Sequence, residues 1–288
     1  MSNFRIVKGI DSALKGGGKK LLEIDFLGIG GAFDTDEGTS SALLKTRGGK
    51  LFLIDCGHSA YSKLRKKGLI DKIDTIFITH THSGHISHLS TFVYDSFLVH
   101  KKPVTIECTQ KVSERIKSYL DLCGHPEESY QLNTSDFVFI EDEKISITKI
   151  DTSDYHWPVN NFPNSGLLFH FDTSVELLKK PDDYAIFIYS GDINIPITNL
   201  MDPTAYPFVY ENPDNVFIFH DMTSFDYPQN PHCNFELLKP IRSEFKNLFT
   251  YHHNQEQVYN VNKESSQMAL TSLILQGNSF VIEELKGL

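Results

Sequence analysis

Short, largely apolar runs alternate along the chain with polar segments whose apolar positions fall at helical spacing. Leu21 to Leu27 is one such run and ends in Gly28-Ile29-Gly30-Gly31. Ser41 to Leu44 and Leu51 to Ile54 flank Arg47-Gly48-Gly49, which predicts a hairpin. Thr75 to Thr79 (Thr-Ile-Phe-Ile-Thr) has the β-branched content of a buried strand. Further strands are predicted at Val104 to Cys108, Phe137 to Ile140, Ile145 to Ile150, Gly166 to Phe171, Tyr184 to Tyr189, Val216 to Phe219 and Leu248 to Tyr251. Helices are predicted over Ser59 to Lys67, closed by Gly68, and over His85 to Val99, Lys111 to Leu122, Phe235 to Phe245 and Ser265 to Leu275. The charged runs Lys63 to Lys67 and Glu141 to Lys144 read as solvated faces and turns. Strand groups interleaved with helices predict a layered α/β sandwich, with sheets inside and helices outside.

Composition leaves that picture as one domain over residues 1–288, with 40% hydrophobic and 22% charged residues to build a sizeable core. Lys15 to Lys20 (Lys-Gly-Gly-Gly-Lys-Lys) reads as a tight turn or a loose N-terminal arm within the first twenty residues. No apolar run reaches the roughly 18 residues of a membrane span, and Met1 to Lys20 lacks the apolar stretch of a signal peptide. Cys56, Cys108, Cys123 and Cys233 are far apart and form no C-x-x-C pair, which favours a reducing, cytoplasmic setting without membrane contact. The net charge of −10, from 27 basic and 37 acidic residues, argues against a nucleic-acid partner, because phosphate backbones are gripped by Lys and Arg.

The chemistry lies in the histidines. Thr79-His80-Thr81-His82-Ser83-Gly84-His85 directly follows the Thr75 strand. His80 and His82, two apart on extended backbone, can bite one metal, and His85, a turn later, can reach a second. Imidazoles suit zinc, iron, nickel or copper, and an open position on such an ion activates water. The same strand-end placement recurs at His156 in Asp154-Tyr155-His156-Trp157-Pro158, at Asp192 in Tyr189-Ser190-Gly191-Asp192, and at His252 after Leu248-Phe249-Thr250-Tyr251. Taken singly, each could be an ordinary edge residue; as a series they build a site on one edge of a sandwich.

This ordered series resembles the metallo-β-lactamase-fold hydrolases, in the branch typified by tRNase Z. The resemblance runs from about Leu21 to His253 and rests on Phe26-Leu27-Gly28-Ile29-Gly30-Gly31-Ala32, Ser40 to Leu44, Leu53-Ile54-Asp55-Cys56-Gly57, the His80 motif, His156 with Ser165-Gly166, Asp192 and the late His252. It implies a four-layer αββα sandwich with zinc, as one or two ions, in a shallow cleft between the sheets; manganese is the alternative. On it, His80, His82 and His156 would hold the first ion, Asp192 would bridge, and His85 and His252 would complete the ligands of the second ion. His253 is the alternative to His252. His232 would protonate a leaving oxygen or be a plain loop histidine, and Asp55 would orient an imidazole from behind the ligands.

One position departs from the resemblance. The family motif is His-x-His-x-Asp-His, and Gly84 stands where the Asp belongs. The second ion then has a weak shell unless water or Asp221 substitutes, and the attacking hydroxide loses a hydrogen-bond acceptor, roughly a two- to four-decade effect. Gly84 is read as an engineered disabling change, a natural one-metal or non-catalytic descendant, or an active enzyme using another group. The site suits phosphodiesters. The Gly/Pro- and Lys-rich arm of true tRNA processors is missing between His85 and His156, which turns the expectation to small substrates, 3′,5′-cyclic nucleotides first. The chain looks like the cyclic-nucleotide phosphodiesterases of this fold, including those phages use against cyclic-mononucleotide immune signals. A nucleotide-binding pseudoenzyme, a tRNA 3′-end endonuclease, or a thioester, lactone or lactam hydrolase are the alternatives. Phe33, Tyr155, Trp157, Phe225 or Tyr227 would stack on a base or pack the rim. A homodimer is expected on family grounds, with the aromatic stretch Tyr206 to Tyr210 as its contact.

Overall fold

The computed structural model describes residues 4–8, 19–156, 162–172, 184–223, 232–252, 272–273 and 279–284. In chain order the strands are β1 (Phe4–Lys8), β2 (Lys19–Gly28), β3 (Ser41–Thr46), β4 (Leu51–Ile54), β5 (Thr75–Phe77), β6 (Val104–Glu107), β7 (Tyr130–Asn133), β8 (Phe137–Ile140) and β9 (Ile145–Asp151). They continue with β10 (Ser165–Asp172), β11 (Tyr184–Tyr189), β12 (Val216–Asp221), β13 (Asn247–Tyr251), β14 (Ser272–Leu273) and β15 (Ser279–Glu284). The helices are α1 (His58–Lys66), α2 (Ser83–Ile86), α3 (Leu89–Tyr94), α4 (Gln110–Leu122), α5 (Pro207–Glu211) and α6 (Phe235–Glu244).

Two sheets form, in the orders β1-β15-β2-β3-β4-β5-β6-β7 and β14-β13-β12-β11-β10-β9-β8. Strand alternation sorts the apolar residues into three layers. In β4, Phe52 and Ile54 enter the core between the sheets, while Leu51 and Leu53 face a second core shared with α1, α3 and α4. In β12, Phe217 and Phe219 enter the central core, while Val216 and Ile218 face α5 and α6. The result is the expected αββα sandwich. Its sheets are further tied by Lys149 of β9, which is fully buried and donates to Glu107 Oε2 at 2.8 Å and to the Cys108 carbonyl at 3.0 Å.

Three expectations are corrected. The stretch His85 to Val99 is not one helix: α2 stops at Ile86, α3 starts at Leu89, and a π turn follows over Asp95–Val99. The break has a cause in the β4 end, where Cys56 N donates to the His85 carbonyl at 2.7 Å and the Cys56 carbonyl accepts from His88 N at 3.1 Å. These bonds take the backbone groups that a continuous helix would use. The N-terminal region is not all loose, because β1 pairs antiparallel with β15 and Arg5 donates to Glu283 at 3.0 Å; residues 9–18 lie outside the described residues. Within the predicted Ser265 to Leu275 helix, Ser272–Leu273 is instead a strand parallel to β13, and residues 265–271 lie outside the described residues.

Candidate metal centre

The first half of the centre grows from the ends of β4 and β5. Asp55 follows β4 in the left-handed backbone region, at φ +59°, a conformation that a non-glycine residue holds at a cost. Its buried carboxylate accepts from Thr79 N at 2.9 Å, Thr79 Oγ1 at 2.8 Å and His85 Nδ1 at 2.8 Å. Asp55 therefore fixes both the strand end that carries His80 and the ring of His85, so that His85 turns Nε2 to the centre. His82 stays extended as the N-cap of α2, and the three rings converge: His80 lies 4.9 Å from His82 and 4.0 Å from His85, centroid to centroid.

The second half comes from the other sheet. His156 follows a 3-10 turn at Ser153–Tyr155; its Nδ1 contacts the Asp192 carbonyl at 3.1 Å, which leaves Nε2 3.0 Å from His82 Nδ1. Gly191, at φ +65°, lets β11 turn Asp192 inward, and a Cβ there would sit 2.6 Å from the Ser165 carbonyl oxygen. His252 follows β13 at φ +67°, with its N–H on the Ile29 carbonyl at 2.6 Å. Asp192 Oδ2 is the hub, 3.6 Å from His80 Nε2, 3.3 Å from His85 Nε2 and 3.5 Å from His252 Nε2. His232 donates through Nδ1 to Asp221 Oδ2 at 2.8 Å and lies 4.0 Å from Asp192 Oδ2.

These separations fit cations. Two donors each about 2.1 Å from a tetrahedral ion lie about 3.4 Å apart. His80 Nε2 and Asp192 Oδ1 are buried and make no hydrogen bond among the described residues, an arrangement that is costly without a bound charge. Burial and neighbouring imidazoles lower the His82 pKa to about 4, and burial lowers that of His252 to about 3, so both rings are neutral and ready as ligands at neutral pH. Burial also opposes the charged form of His85, but Asp192 and Asp55 outweigh it and raise its pKa to about 10. His80, His82 and His156 form one donor group, His80, His85 and Asp192 a second, and Asp192, Asp221, His232 and His252 a third, each with its donor atoms within 4.8 Å of one another.

The expected residues His80, His82, His85, His156, Asp192, His252 and His232 are all brought together, with Asp55 behind His85. His252 is the histidine placed against Asp192; His253, Trp157, Phe225 and Tyr227 lie outside the described residues. Tyr155 closes the 3-10 turn before His156. Gly84 is buried in α2, and a Cβ there would lie 3.3 Å from Ala32 Cα. The loop around Ala32 thus occupies the room beside position 84. Phe33, next in that loop, is 97% exposed.

Two neighbours of the centre carry no sequence signal. Phe162 stacks on His82 at 4.3 Å, and Arg115 of α4 lies over Phe162 at 4.5 Å while its Nε donates to Thr81 Oγ1 at 2.7 Å. Asp221 did carry one. It ends an apolar strand with a carboxylate, the same pattern that marks Asp192. The rings of Tyr206, Phe208 and Tyr210 pack against the helix-side core of the second sheet within this chain.

Comparison with known proteins agrees with this architecture. The family model for "Anti-Pycsar protein Apyc1" matches residues 22–278. An Anti-Pycsar protein Apyc1 of Bacillus phage 010DV004 is 26% identical over 271 residues, covering 91% of this chain and 98% of the relative. A Ribonuclease Z of Halorubrum lacusprofundi is 31% identical over 105 residues, 36% of this chain, so that match spans about a third (34%) of that relative's length. Among solved structures, the metallo-β-lactamase fold protein YhfI of Bacillus subtilis superposes with a TM-score of 0.67 at 16% identity, covering 91% of this chain and 99% of YhfI, which shows the shared fold.

Proposed function

The chain belongs to the Anti-Pycsar protein Apyc1 family, in the tRNase Z-like branch of the metallo-β-lactamase-fold hydrolases, and on that footing we propose that it is a metal-dependent phosphodiesterase acting on small phosphodiesters, 3′,5′-cyclic nucleotides first. The observation that carries this reading is the ring of imidazoles around Asp192 Oδ2, set on the strand ends of both sheets. His80, His82, His156 and Asp192 would hold one divalent cation, and His85, His252 and Asp192 a second. The nitrogen-rich donor set favours zinc, with manganese the alternative. Cations there would supply Lewis-acid neutralisation of the phosphate oxygens and a lowered pKa for water.

The remaining steps belong to side chains. With Nδ1 held by Asp221, His232 would give a proton from its imidazole to the departing sugar oxygen. Burial opposes its charge, but the hydrogen bond it donates to Asp221 and the charge of Asp192 raise its pKa, which keeps that proton available. Gly84 offers no carboxylate to orient the attacking water, so turnover by this chain is slow. Phe33 stacks on the base, as does Trp157 in this reading, and replacing Phe33 by Ala raises KM without changing metal content. The acidic balance of −10 favours a small nucleotide over a polynucleotide. Four free cysteines accord with a cytoplasmic protein, and self-association as a homodimer is read out by its mass in solution.

The test is hydrolysis of a panel of 3′,5′-cyclic nucleotides beside a precursor tRNA, with added zinc or manganese. Metal-dependent opening of the cyclic phosphate, abolished by His80→Ala, supports the reading. Cleavage of the tRNA alone transfers it to an endonuclease, and tight binding of a nucleotide without turnover transfers it to the pseudoenzyme that Gly84 makes conceivable.

A further inference from the structure

We propose that Asp221 serves as a ligand of the second cation, in place of the carboxylate that position 84 lacks. This rests on the two-cation reading above and concerns which side of the centre holds the second ion.

Parallel β11, β12 and β13 lie side by side, with Tyr189 opposite Phe219 and Asp221 opposite Tyr251. Their ends therefore present Asp192, Asp221 and His252 as a row along one edge. The donor atoms of these three and of His232 lie within 4.8 Å of one another. Asp221 is fully buried. Its Oδ2 accepts from His232 Nδ1 at 2.8 Å and from Ile193 N at 3.3 Å, whereas Oδ1 makes no hydrogen bond among the described residues and has His220 Nδ1 3.5 Å away. A dry carboxylate oxygen without a donor is expensive unless a positive charge faces it. The adjacent Asp192 Oδ1 is orphaned in the same way, so two carboxylates wait on one edge for the same compensation.

The opposite side of the centre gives the complementary observation. A Cβ at Gly84 would meet Ala32 Cα at 3.3 Å and Ala32 Cβ at 3.4 Å, and one at Gly31 would be 3.6 Å from His252 Cε1. A side chain at 84 would therefore press on the loop carrying Gly31 and Ala32, which would have to give by a few tenths of an ångström. The first sheet has lost a carboxylate where the second sheet holds one in reserve. Asp221 then holds the ion, while its other oxygen keeps His232 in place. It does not replace the water-orienting role of the missing carboxylate, because it sits across the centre from position 84.

Counting zinc decides the matter. Wild type, Asp221→Asn, Gly84→Asp and the Gly84→Asp/Asp221→Asn double variant are loaded with zinc, desalted and analysed for metal by mass spectrometry, with melting temperatures recorded for each. Wild type is expected to keep two zinc ions per chain. Asp221→Asn should keep one, its second affinity falling about a hundredfold or more, since partners merely behind a ligand are already worth roughly 10–100-fold. The double variant should return to two, because a carboxylate at 84 restores the lost ligand from the other side. If Asp221→Asn misfolds, the folded double variant and Asp221→Ser carry the same comparison. Two zinc ions retained in Asp221→Asn or Asp221→Ser would overturn the proposal while leaving the hydrolase reading intact. A wild type that binds no zinc and cleaves no phosphodiester would overturn both.

Discussion

Replacing Gly84 by Asp and, separately, by Ala divides the site's chemistry from its packing. Gly84 lies within α2, where Ala in place of glycine gains about 0.5–1 kcal/mol and Asp less, while an Asp in a first helical turn gains about 0.3–1 kcal/mol from the helix dipole. Against this, the new Cβ presses on Ala32 at 3.3 Å, so the loop must move by a few tenths of an ångström. Ala32 is exposed, and its loop can give way, so the contact costs about 1 kcal/mol, the low end for overpacking. The terms nearly cancel, and both variants should melt within about 3 °C of wild type. Activity should not cancel. A carboxylate at 84 that accepts a hydrogen bond from the attacking water raises kcat about 10²–10⁴-fold, or about 3–5 kcal/mol of barrier, while Ala leaves it unchanged. The assay is steady-state hydrolysis of a 3′,5′-cyclic nucleotide at saturating zinc or manganese, with bound metal counted in parallel. Equal gains in the Ala and Asp variants would refute the reasoning and assign the effect to the Ala32 loop. No gain in either would mean that this chain lacks no proton acceptor.

Asp55→Asn keeps the shape of the side chain but weakens its hold on His85 Nδ1, and should lower zinc affinity roughly 10–100-fold in a chelator competition. The pH dependence of the metal-free chain has two limbs. His82 and His252, held at about 4 and about 3, bind protons only after unfolding between there and 6.5, so their stabilisation is lost as pH falls below 6.5. His85, raised to about 10, contributes stability in full below 6.5 and loses it as pH climbs toward 10. Melting temperature in the presence of chelator should therefore peak near pH 6.5, and zinc, by taking the place of the His85 proton, should flatten the alkaline limb; a flat chelated profile would contradict this. Lys149→Met strands the buried Glu107 carboxylate and should cost about 3–5 kcal/mol in urea unfolding, whereas a loss below 1 kcal/mol would show that water reaches the site.

Most of the centre was legible because its residues obey one local rule: an apolar strand ends and a metal-capable side chain follows. His80, Asp192 and His252 were found that way, and β5, β11 and β13 do end just before them. Asp221 obeys the same rule at the end of β12, and the sequence marks it as the carboxylate able to substitute for the one missing at Gly84. Phe162 and Arg115 could not be read at all. Their place beside His82 depends on where α4 packs, a tertiary contact with no periodic trace. The same limit explains the broken His85 to Val99 helix. Its apolar spacing is helical throughout, but backbone bonds from Cys56, a residue far back in the chain, interrupt it. The pair β1 and β15 joins the two ends of the described chain, and no local pattern announces such a partnership.

That pairing also sets a timetable. β15 is the last strand described, yet it lies between β1 and β2, the first two. Phe280 and Ile282 enter the central core there, with Phe280 5.6 Å from Phe219 and 6.1 Å from Phe26. Until it arrives, β1 has no neighbour in the sheet and one edge of β2 is open. At about 5–20 residues per second, a ribosome needs roughly 15–60 s for 288 residues. From the completion of β2 until β15 emerges, most of that interval, the nascent chain carries an unpaired edge and an uncovered patch of the central core, both ready templates for a neighbouring chain. A chain cut short before Ser279 would keep every histidine of the centre and still be unable to leave that state.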